Sequence, residues 1–207
     1  MKIFRDSRLE IDEYLGSKEQ EIKKLDLSEL KDNNDIYSIK QALRQMTKLE
    51  KQMKIWYKMK ENDLVKSGKK DMKIPTIDFI GEIDSILKEE LNIEINDNYS
   101  ILKELIIQLR RVKVDQDDDD DEKETASTRL AELLAITLEY LHNNALVLVF
   151  DLLGDEGRVR SFLLDPGVIS GPIFSSTSGA ILMSGTLFPP EMYADLLRIP
   201  KTRKVIM

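Results

Sequence analysis

The sequence contains no cysteine and only one histidine, His142. Without cysteine the 207-residue chain can form neither disulfide bonds nor thiolate metal sites. His142 falls at the end of a predicted helix and has no acidic pair near it in the sequence, so we interpret it as a helix-end residue rather than a ligand. We therefore expect no metal site in this chain.

Long uncharged apolar segments are also missing. The start of the chain, MKIFRDSRLEIDEYL, is charged and has no apolar core of the kind that a secretory signal needs. Residues 166–190 carry no charge, but four Pro, four Gly and seven Ser or Thr make them unsuitable to span a membrane. These features predict a cytoplasmic protein that does not contact a membrane.

What is present suits a globular protein with a real core, because 42% of the residues are hydrophobic and 33% are charged. The 31 basic and 38 acidic side chains give a net charge of −7, which provides no overall attraction to nucleic acid. Residues 115–124, DQDDDDDEKE, alone hold eight acids and one lysine. The rest of the chain is therefore close to neutral, and its charges are unevenly distributed.

Apolar residues recur at helical spacing through most of the first 144 residues. The pattern predicts helices over residues 35–61, 77–91 and 125–141, and another whose apolar face runs from Leu102 to Val112. Residues 1–30 are predicted to form one or two further helices, with Gly16 as a candidate break.

The helix over residues 35–61 lies in a basic stretch. Between Ser38 and Lys73 there are eleven Lys or Arg and four Asp or Glu. The candidate DNA contacts recur on one side of this helix or lie in the same stretch: Lys40, Arg44, Lys48, Lys51, Lys58, Trp56 and Tyr57. Cations that follow a backbone, with aromatic residues between them, are typical of a path for single-stranded nucleic acid. The alternative is a solvated lysine-rich face with Trp56 in the core.

The acidic run partly matches a calcium-binding loop. Asp115, Asp117 and Asp119 have the required spacing, but position 6 is Asp120 instead of Gly and position 12 is Ala126 instead of Glu. We therefore interpret residues 115–124 as a solvated loop. A weak contact with a divalent ion or a basic partner is the alternative.

The periodicity changes near residue 145. Ala145–Phe150 and Val159–Leu164 predict two strands, and the turn residues Gly154–Gly157 predict that they form a hairpin. The apolar run Ala180–Met183 predicts a third strand. We thus expect an α+β fold, mainly α, with a helical domain over residues 1–144 and a strand-containing part over residues 145–207.

The chain lacks the residues that bind and hydrolyse ATP. It has no G-x-x-x-x-G-K-[ST] phosphate loop, since Lys66–Lys70 lacks the first glycine and the Ser or Thr of that motif. An Asp-Glu-Ala-His sequence for Mg²⁺ is absent too. The chain on its own is therefore not expected to hydrolyse ATP, and no catalytic residue or cofactor site is assigned to it.

One segment carries a more specific signal. Leu164-Asp165-Pro166 is followed by Ala180–Met183, by Ser184-Gly185-Thr186-Leu187 and by Pro189–Tyr193. In this order and spacing the segment resembles the XPD-like DNA helicases of superfamily 2, which include the DinG-related ones. The resemblance covers about a quarter of the chain. The helical region before it fits the family by position and character.

The resemblance implies that residues 1–144 are a helical arch-like domain and that residues 145–207 are part of a RecA-like motor domain. The implied function is part of an ATP-dependent 5′-to-3′ DNA helicase, with single-stranded DNA and the remaining motor domains as partners. ATP, Mg²⁺ and the iron–sulfur cluster of many members belong to family motifs that this sequence lacks. The order of the motifs is the one expected of a fragment that begins after the acidic motif.

By the same resemblance, Ser184, Gly185 and Thr186 couple the nucleotide state to the grip on DNA. The two hydroxyls can donate and accept hydrogen bonds, and the glycine allows a sharp turn. The alternative for these residues is an ordinary strand-to-helix turn with hydroxyl caps. For the whole chain, the alternative function is a non-enzymatic helical protein-interaction module whose basic helix binds an acidic partner.

Overall fold

A computed structural model of the chain describes residues 1–24, 32–91, 98–112, 124–183 and 189–200. Within these ranges the chain forms seven helices and three strands. In chain order they are α1 (Lys2–Lys24), α2 (Asp32–Ser67), β1 (Asp71–Ile74), α3 (Thr76–Leu91), α4 (Ser100–Arg111), α5 (Ala126–Glu139), β2 (Leu146–Leu153), β3 (Glu156–Leu163), α6 (Gly167–Ser176) and α7 (Pro190–Leu196). The predicted α+β, mainly α class is confirmed.

The longest element is α2, which extends past the predicted helix at both ends. No Pro or Gly interrupts its sequence before Gly68, which adopts a left-handed φ of 66° and ends the helix. The Gly68 N–H donates to the Val65 carbonyl at 3.2 Å. At about 1.5 Å per residue α2 is roughly 54 Å long, so it exposes an extended face to solvent.

α1 continues through Gly16, so the candidate break in the first helix does not occur. A glycine inside a helix costs about 1 kcal/mol relative to alanine. Ile11 and Leu15 are buried in the core close to this position, and their packing offsets that cost.

The core lies among α1 to α5 and one face of the sheet. Fully buried side chains from six elements contribute to it, among them Phe4 and Ile11 of α1, Met46, Leu49 and Met53 of α2, Phe79, Ile80, Ile83 and Leu87 of α3, Leu102, Leu105 and Leu109 of α4, Leu130 and Leu134 of α5, and Leu148 and Phe150 of β2. On α2 to α5 these residues recur mainly at spacings of three or four, and on α1 they are seven apart. The apolar faces predicted from the sequence are therefore confirmed as buried faces.

A long-range cap joins α1 to α5. The Glu10 carboxylate accepts hydrogen bonds from the backbone N–H groups of Ala126 and Ser127, at 2.8 and 2.7 Å. Thr125 adds a local cap, because its hydroxyl accepts from the Thr128 N–H at 3.1 Å. A carboxylate at this end of α5 satisfies N–H groups that have no partner within the helix and complements the helix dipole.

Glu10→Gln is expected to lower the free energy of unfolding by about 1–2 kcal/mol, because the amide keeps the shape of the side chain but loses the charge and one acceptor oxygen. Urea denaturation followed by circular dichroism measures the change. Glu13→Gln removes an exposed glutamate from the same helix and is the matched control. Equal effects of the two substitutions would show that the cap contributes no stability.

The sheet has the order β1-β2-β3, and both pairs of strands are antiparallel. β2 and β3 form the predicted hairpin, in which Leu153 pairs with Glu156 and Gly154 takes a φ of 61° in the turn. Ile74, Leu148 and Phe150 belong to the buried core. The sheet therefore covers one side of the helices.

The third strand is not the predicted one. Residues 180–183 form no strand and are exposed, whereas Asp71–Ile74 pairs with β2. A short apolar run is compatible with a strand but does not by itself provide a neighbour to pair with. Because β1 comes from the first 144 residues and β2 from the rest, one sheet spans the domain boundary predicted near residue 145.

Candidate nucleic-acid interface

The five cations predicted to contact DNA lie on the side of α2 that faces away from the core. We call Lys40, Arg44, Lys48, Lys51 and Lys58 the basic row. At about 100° per residue their spacing places all five within roughly 80° of arc, opposite the buried Met46 and Met53. From its first to its last member the row extends about 27 Å along the helix, at 1.5 Å per residue. The predicted one-sided arrangement is therefore what the helix geometry produces.

Three members of the basic row already form ion pairs. The Lys40 ammonium lies 2.7 Å from the Glu19 carboxylate of α1, and Lys58 lies 3.1 Å from Glu61 within α2. Lys48 is less exposed and lies 3.5 Å from Glu89 and 3.7 Å from Glu90 at the end of α3. Exposed pairs of this kind contribute only about 0–1 kcal/mol, so a phosphate can displace their carboxylates.

Arg44 and Lys51 differ from the other three members. Both side chains are exposed, and neither forms an ion pair with another residue in the described part of the chain. They are seven residues apart and so lie on nearly the same line along α2, about 10.5 Å from each other at 1.5 Å per residue. These two cations can therefore bind a phosphate without first giving up an ion pair.

Trp56 and Tyr57 lie on the other side of α2 from the basic row. Their residues are only 5% and 3% exposed. The Trp56 ring centroid is 5.7 Å from that of Phe79, and the Tyr57 centroid is 5.6 Å from that of Phe150. In this placement neither ring presents a face to a base. Trp56 instead occupies the core, as in the alternative interpretation of the basic stretch.

Burial of Tyr57 also changes its acidity and links α2 to the sheet. Desolvation raises the pKa of the Tyr57 hydroxyl well above its usual range, while a hydrogen bond with the backbone of Val159 acts in the opposite direction. The phenol therefore stays neutral, and its hydrogen bond holds α2 against β3.

Exposed apolar side chains that were not predicted from the sequence accompany the basic row. Tyr37 is 70% exposed, Ile55 is 55% exposed and Met59 is 51% exposed. Tyr37 precedes Arg44 by seven residues, and Ile55 follows Lys51 by four, so both share the solvent side of α2. This spacing could have identified them from the sequence, because residues seven apart on a helix lie on the same face. Trp56 and Tyr57 are close to the cations only in sequence.

A second group of charges lies on the sheet. The buried Asp151 carboxylate accepts hydrogen bonds from Arg158 at 2.6 and 3.1 Å and from Arg160 at 2.5 Å. These bonds, chiefly those from Arg158, hold the pKa of Asp151 below its usual range. One carboxylate thus fixes two guanidinium groups, and the arrangement stabilises the β2-β3 hairpin.

The residues around Asp165 contact the end of α7 and the residues that follow it. The Arg198 guanidinium pairs with the Asp165 carboxylate, which also accepts from the Gly167 N–H at 2.9 Å. The Ser170 hydroxyl lies 2.9 Å from the Leu197 carbonyl oxygen. A Cβ atom at position 167 would lie 2.7 Å from the Leu196 carbonyl oxygen, so only glycine allows this approach.

Arg198 completes this contact in an uncommon backbone conformation. Its φ is 55°, a left-handed value that residues other than glycine rarely adopt. The pairing with Asp165 and the close approach of Gly167 hold it there. Leu164-Asp165-Pro166 and the helix that begins at Pro190 therefore form one unit, although more than twenty residues separate them in sequence.

Ser184, Gly185 and Thr186, the predicted coupling residues, lie outside the described residues, as does most of the acidic run 115–124. Their assigned roles stay predictions. The flanking residues Ile181 and Met183 are among the most exposed apolar side chains of the protein. The segment that precedes the predicted coupling residues is therefore largely exposed.

The rest of the described structure contains neither a candidate metal site nor a membrane-spanning helix, but it does contain a groove. No group of His, Asp or Glu in the described ranges is arranged to hold a metal ion, and His142 is exposed just after α5. None of the described helices has the length and apolarity to cross a membrane. A groove of about 630 Å³ beside α5 is lined by Arg110 and Arg129 together with Glu132 and Glu139, so it carries charges of both signs.

Comparisons with protein-family models, with curated proteins and with solved structures find no match to this chain.

Proposed function

We propose that the chain is the arch and coupling segment of an XPD-like, ATP-dependent 5′-to-3′ DNA helicase. In this function residues 1–144 are the arch-like domain, and residues 145–207 contribute to a RecA-like motor domain. The segment guides single-stranded DNA, and ATP and Mg²⁺ bind to the remaining motor domains. The resemblance of the segment from Leu164 to Tyr193 supports the family, and the basic row supports the DNA path.

The observation that carries the proposal is the position of the basic row on α2. Five cations share one face over about 27 Å, and this face is opposite the one that packs in the core. Cations in line with solvent access neutralise successive phosphates of a strand without reading its sequence. The row therefore suits a guide for a moving strand better than a site for one defined sequence.

The exposed apolar surface of the described residues after Phe150 supports contact with a partner domain. Beyond Phe150, Ala194 is the one buried hydrophobic residue among the described residues. Eleven large hydrophobic side chains between Leu152 and Leu196 are exposed in the same region. β3 pairs on one side only within the described chain, so its outer edge can accept another strand. The remaining motor domains would cover these groups.

Fluorescence anisotropy of a labelled oligothymidylate tests the DNA-guiding function at 50 and 200 mM salt. The affinity for single-stranded DNA depends on salt with a slope of about −0.7 per neutralised phosphate. A fourfold rise in salt should therefore weaken binding about 100-fold if all five cations bind phosphates, and about sevenfold if only two do. The size of the decrease tells whether the paired lysines exchange their carboxylates for phosphates. Absence of binding at 50 mM would contradict the proposal.

A protein-interaction module is the second candidate function. It is favoured by the exposed Ile55 and Met59, which lie beside cations and suit an acidic amphipathic partner helix. Competition separates the two functions. An acidic amphipathic peptide that binds tightly and survives 200 mM salt, with no binding of the oligothymidylate, would favour the module.

A further inference from the structure

Tyr37 is an exposed aromatic residue near the start of α2. Its side chain is 70% exposed, and it forms no hydrogen bond, ion pair or ring contact with any other described residue. An aromatic ring in this state gains little from packing within the fold, and its face is accessible to a ligand.

Its position relative to the basic row is regular. The line consists of residues at intervals of seven: Tyr37, Arg44, Lys51 and Lys58. Because seven residues are only about 20° short of two full turns, each side chain lies almost directly above the one before it along the helix. The four side chains thus form a single line on the solvent side of α2, at intervals of about 10.5 Å. The ring is at one end of this line, and the two unpaired cations are next to it.

The other aromatic residues leave Tyr37 as the ring available on this face. Among the described aromatic residues, only Tyr37 and Phe162 are exposed by more than about a third. Phe162 is on the sheet, and the Arg160 guanidinium lies 5.0 Å from its centroid. Trp56 and Tyr57 are in the core. A base that reaches the basic row therefore meets Tyr37.

We propose that Tyr37 stacks on an unpaired base of the strand whose phosphates contact Arg44 and Lys51. The inference rests on the proposed DNA-guiding function and adds a property to it, the preference for single strands over duplex. Phosphate contacts alone bind both kinds of DNA. The face of a base is open to a tyrosine ring only where the base is unpaired and unstacked, so the ring contributes to single-strand binding alone.

The test compares Tyr37→Ala, Tyr37→Phe and Val65→Ala in the full chain at 50 mM salt. Val65 is a control for the removal of exposed apolar surface, because it is 73% exposed and continues the line seven residues after Lys58. The probes are an oligothymidylate, a duplex of the same length and an abasic oligomer with the same number of phosphates. Circular dichroism and the emission of Trp56 report whether each variant is folded.

Tyr37→Ala should weaken binding of the oligothymidylate by about 5- to 150-fold, since stacking on one base is worth about 1–3 kcal/mol. Binding of the duplex and of the abasic oligomer should change less than about twofold, and Tyr37→Phe and Val65→Ala should bind like the wild type. Equal decreases in affinity with all three probes, or no decrease with the oligothymidylate, would overturn the role of Tyr37. If the wild-type chain binds no DNA at all, both the DNA-guiding function and the role of Tyr37 are contradicted.

Discussion

Replacing Phe150 with alanine is expected to lower the free energy of unfolding by about 3–5 kcal/mol, the range for truncation of a buried phenylalanine. The side chain is fully buried in the central strand of the sheet. Its ring packs edge-on against Trp56 and Tyr57, with centroids 6.3 and 5.6 Å away. Phe150 therefore joins α2 to the sheet, and its removal leaves a cavity that both elements line.

Urea denaturation followed by Trp56 emission measures this change, because the only tryptophan of the chain lies beside the substituted ring. Phe162→Ala is the matched control, since Phe162 lies on the neighbouring strand and is 39% exposed. We expect it to cost less than about 1 kcal/mol. A change below about 1 kcal/mol for Phe150→Ala would contradict the packing of this ring against α2.

Gly157 provides a second check on the same packing. A Cβ atom at this position would lie 2.6 Å from the Phe150 ring and 3.1 Å from the Tyr57 ring. Gly157→Ala should therefore destabilise the wild type by about 1–3 kcal/mol through overpacking. In the Phe150→Ala background the space is open and most of this cost should disappear. Additive effects of the two substitutions would place the Phe150 ring elsewhere.

Reversing the charge of Arg44 and Lys51 together is expected to weaken binding of single-stranded DNA by about 100-fold at 50 mM salt. Each reversal removes an attraction of about 1 kcal/mol at the surface and adds a repulsion of similar size. Because salt screens both, we expect the affinity for DNA to fall about tenfold per site. The salt slope should also fall by about 0.7 for each phosphate that the variant no longer neutralises. Anisotropy titrations of Arg44→Glu/Lys51→Glu against salt give both quantities.

A matched control is available on α4. Lys103 and Arg110 are exposed and also seven residues apart, so Lys103→Glu/Arg110→Glu changes the net charge by the same amount on another helix. The control separates direct binding at α2 from the general effect of added negative charge. If both double variants weaken binding equally and with the same salt slope, α2 is not the DNA path.

The sequence allowed most helices and the hairpin to be predicted, because their signals are local. The period of Met46, Met53 and their neighbours defines α2, and Gly154 marks the turn between β2 and β3. β1 was not predicted, since Asp71–Ile74 contains only one buried residue and depends on its pairing with β2. The Glu10 cap was not predictable either, because its partners lie 116 and 117 residues away.

The candidate site was predictable to a similar degree. The one-sided arrangement of Arg44, Lys51 and the other cations follows from their spacing alone. Trp56 lies three residues after Met53 and seven after Leu49, a spacing that already indicates the core face. The closeness of Trp56 to the cations in sequence was misleading, whereas its angular position on the helix correctly indicates the core. The ion pairs of Lys40 and Lys48 depend on other helices and could not be read from the sequence.

The position of β1 also determines when the protein can fold during synthesis. β1 leaves the ribosome well before its partner β2, because Ile74 pairs with Leu148. Until Phe150 is made, Trp56 and Tyr57 lack one wall of their pocket, and the β1 edge is open to other chains. Contacts this far apart in sequence form slowly and expose the nascent chain to aggregation.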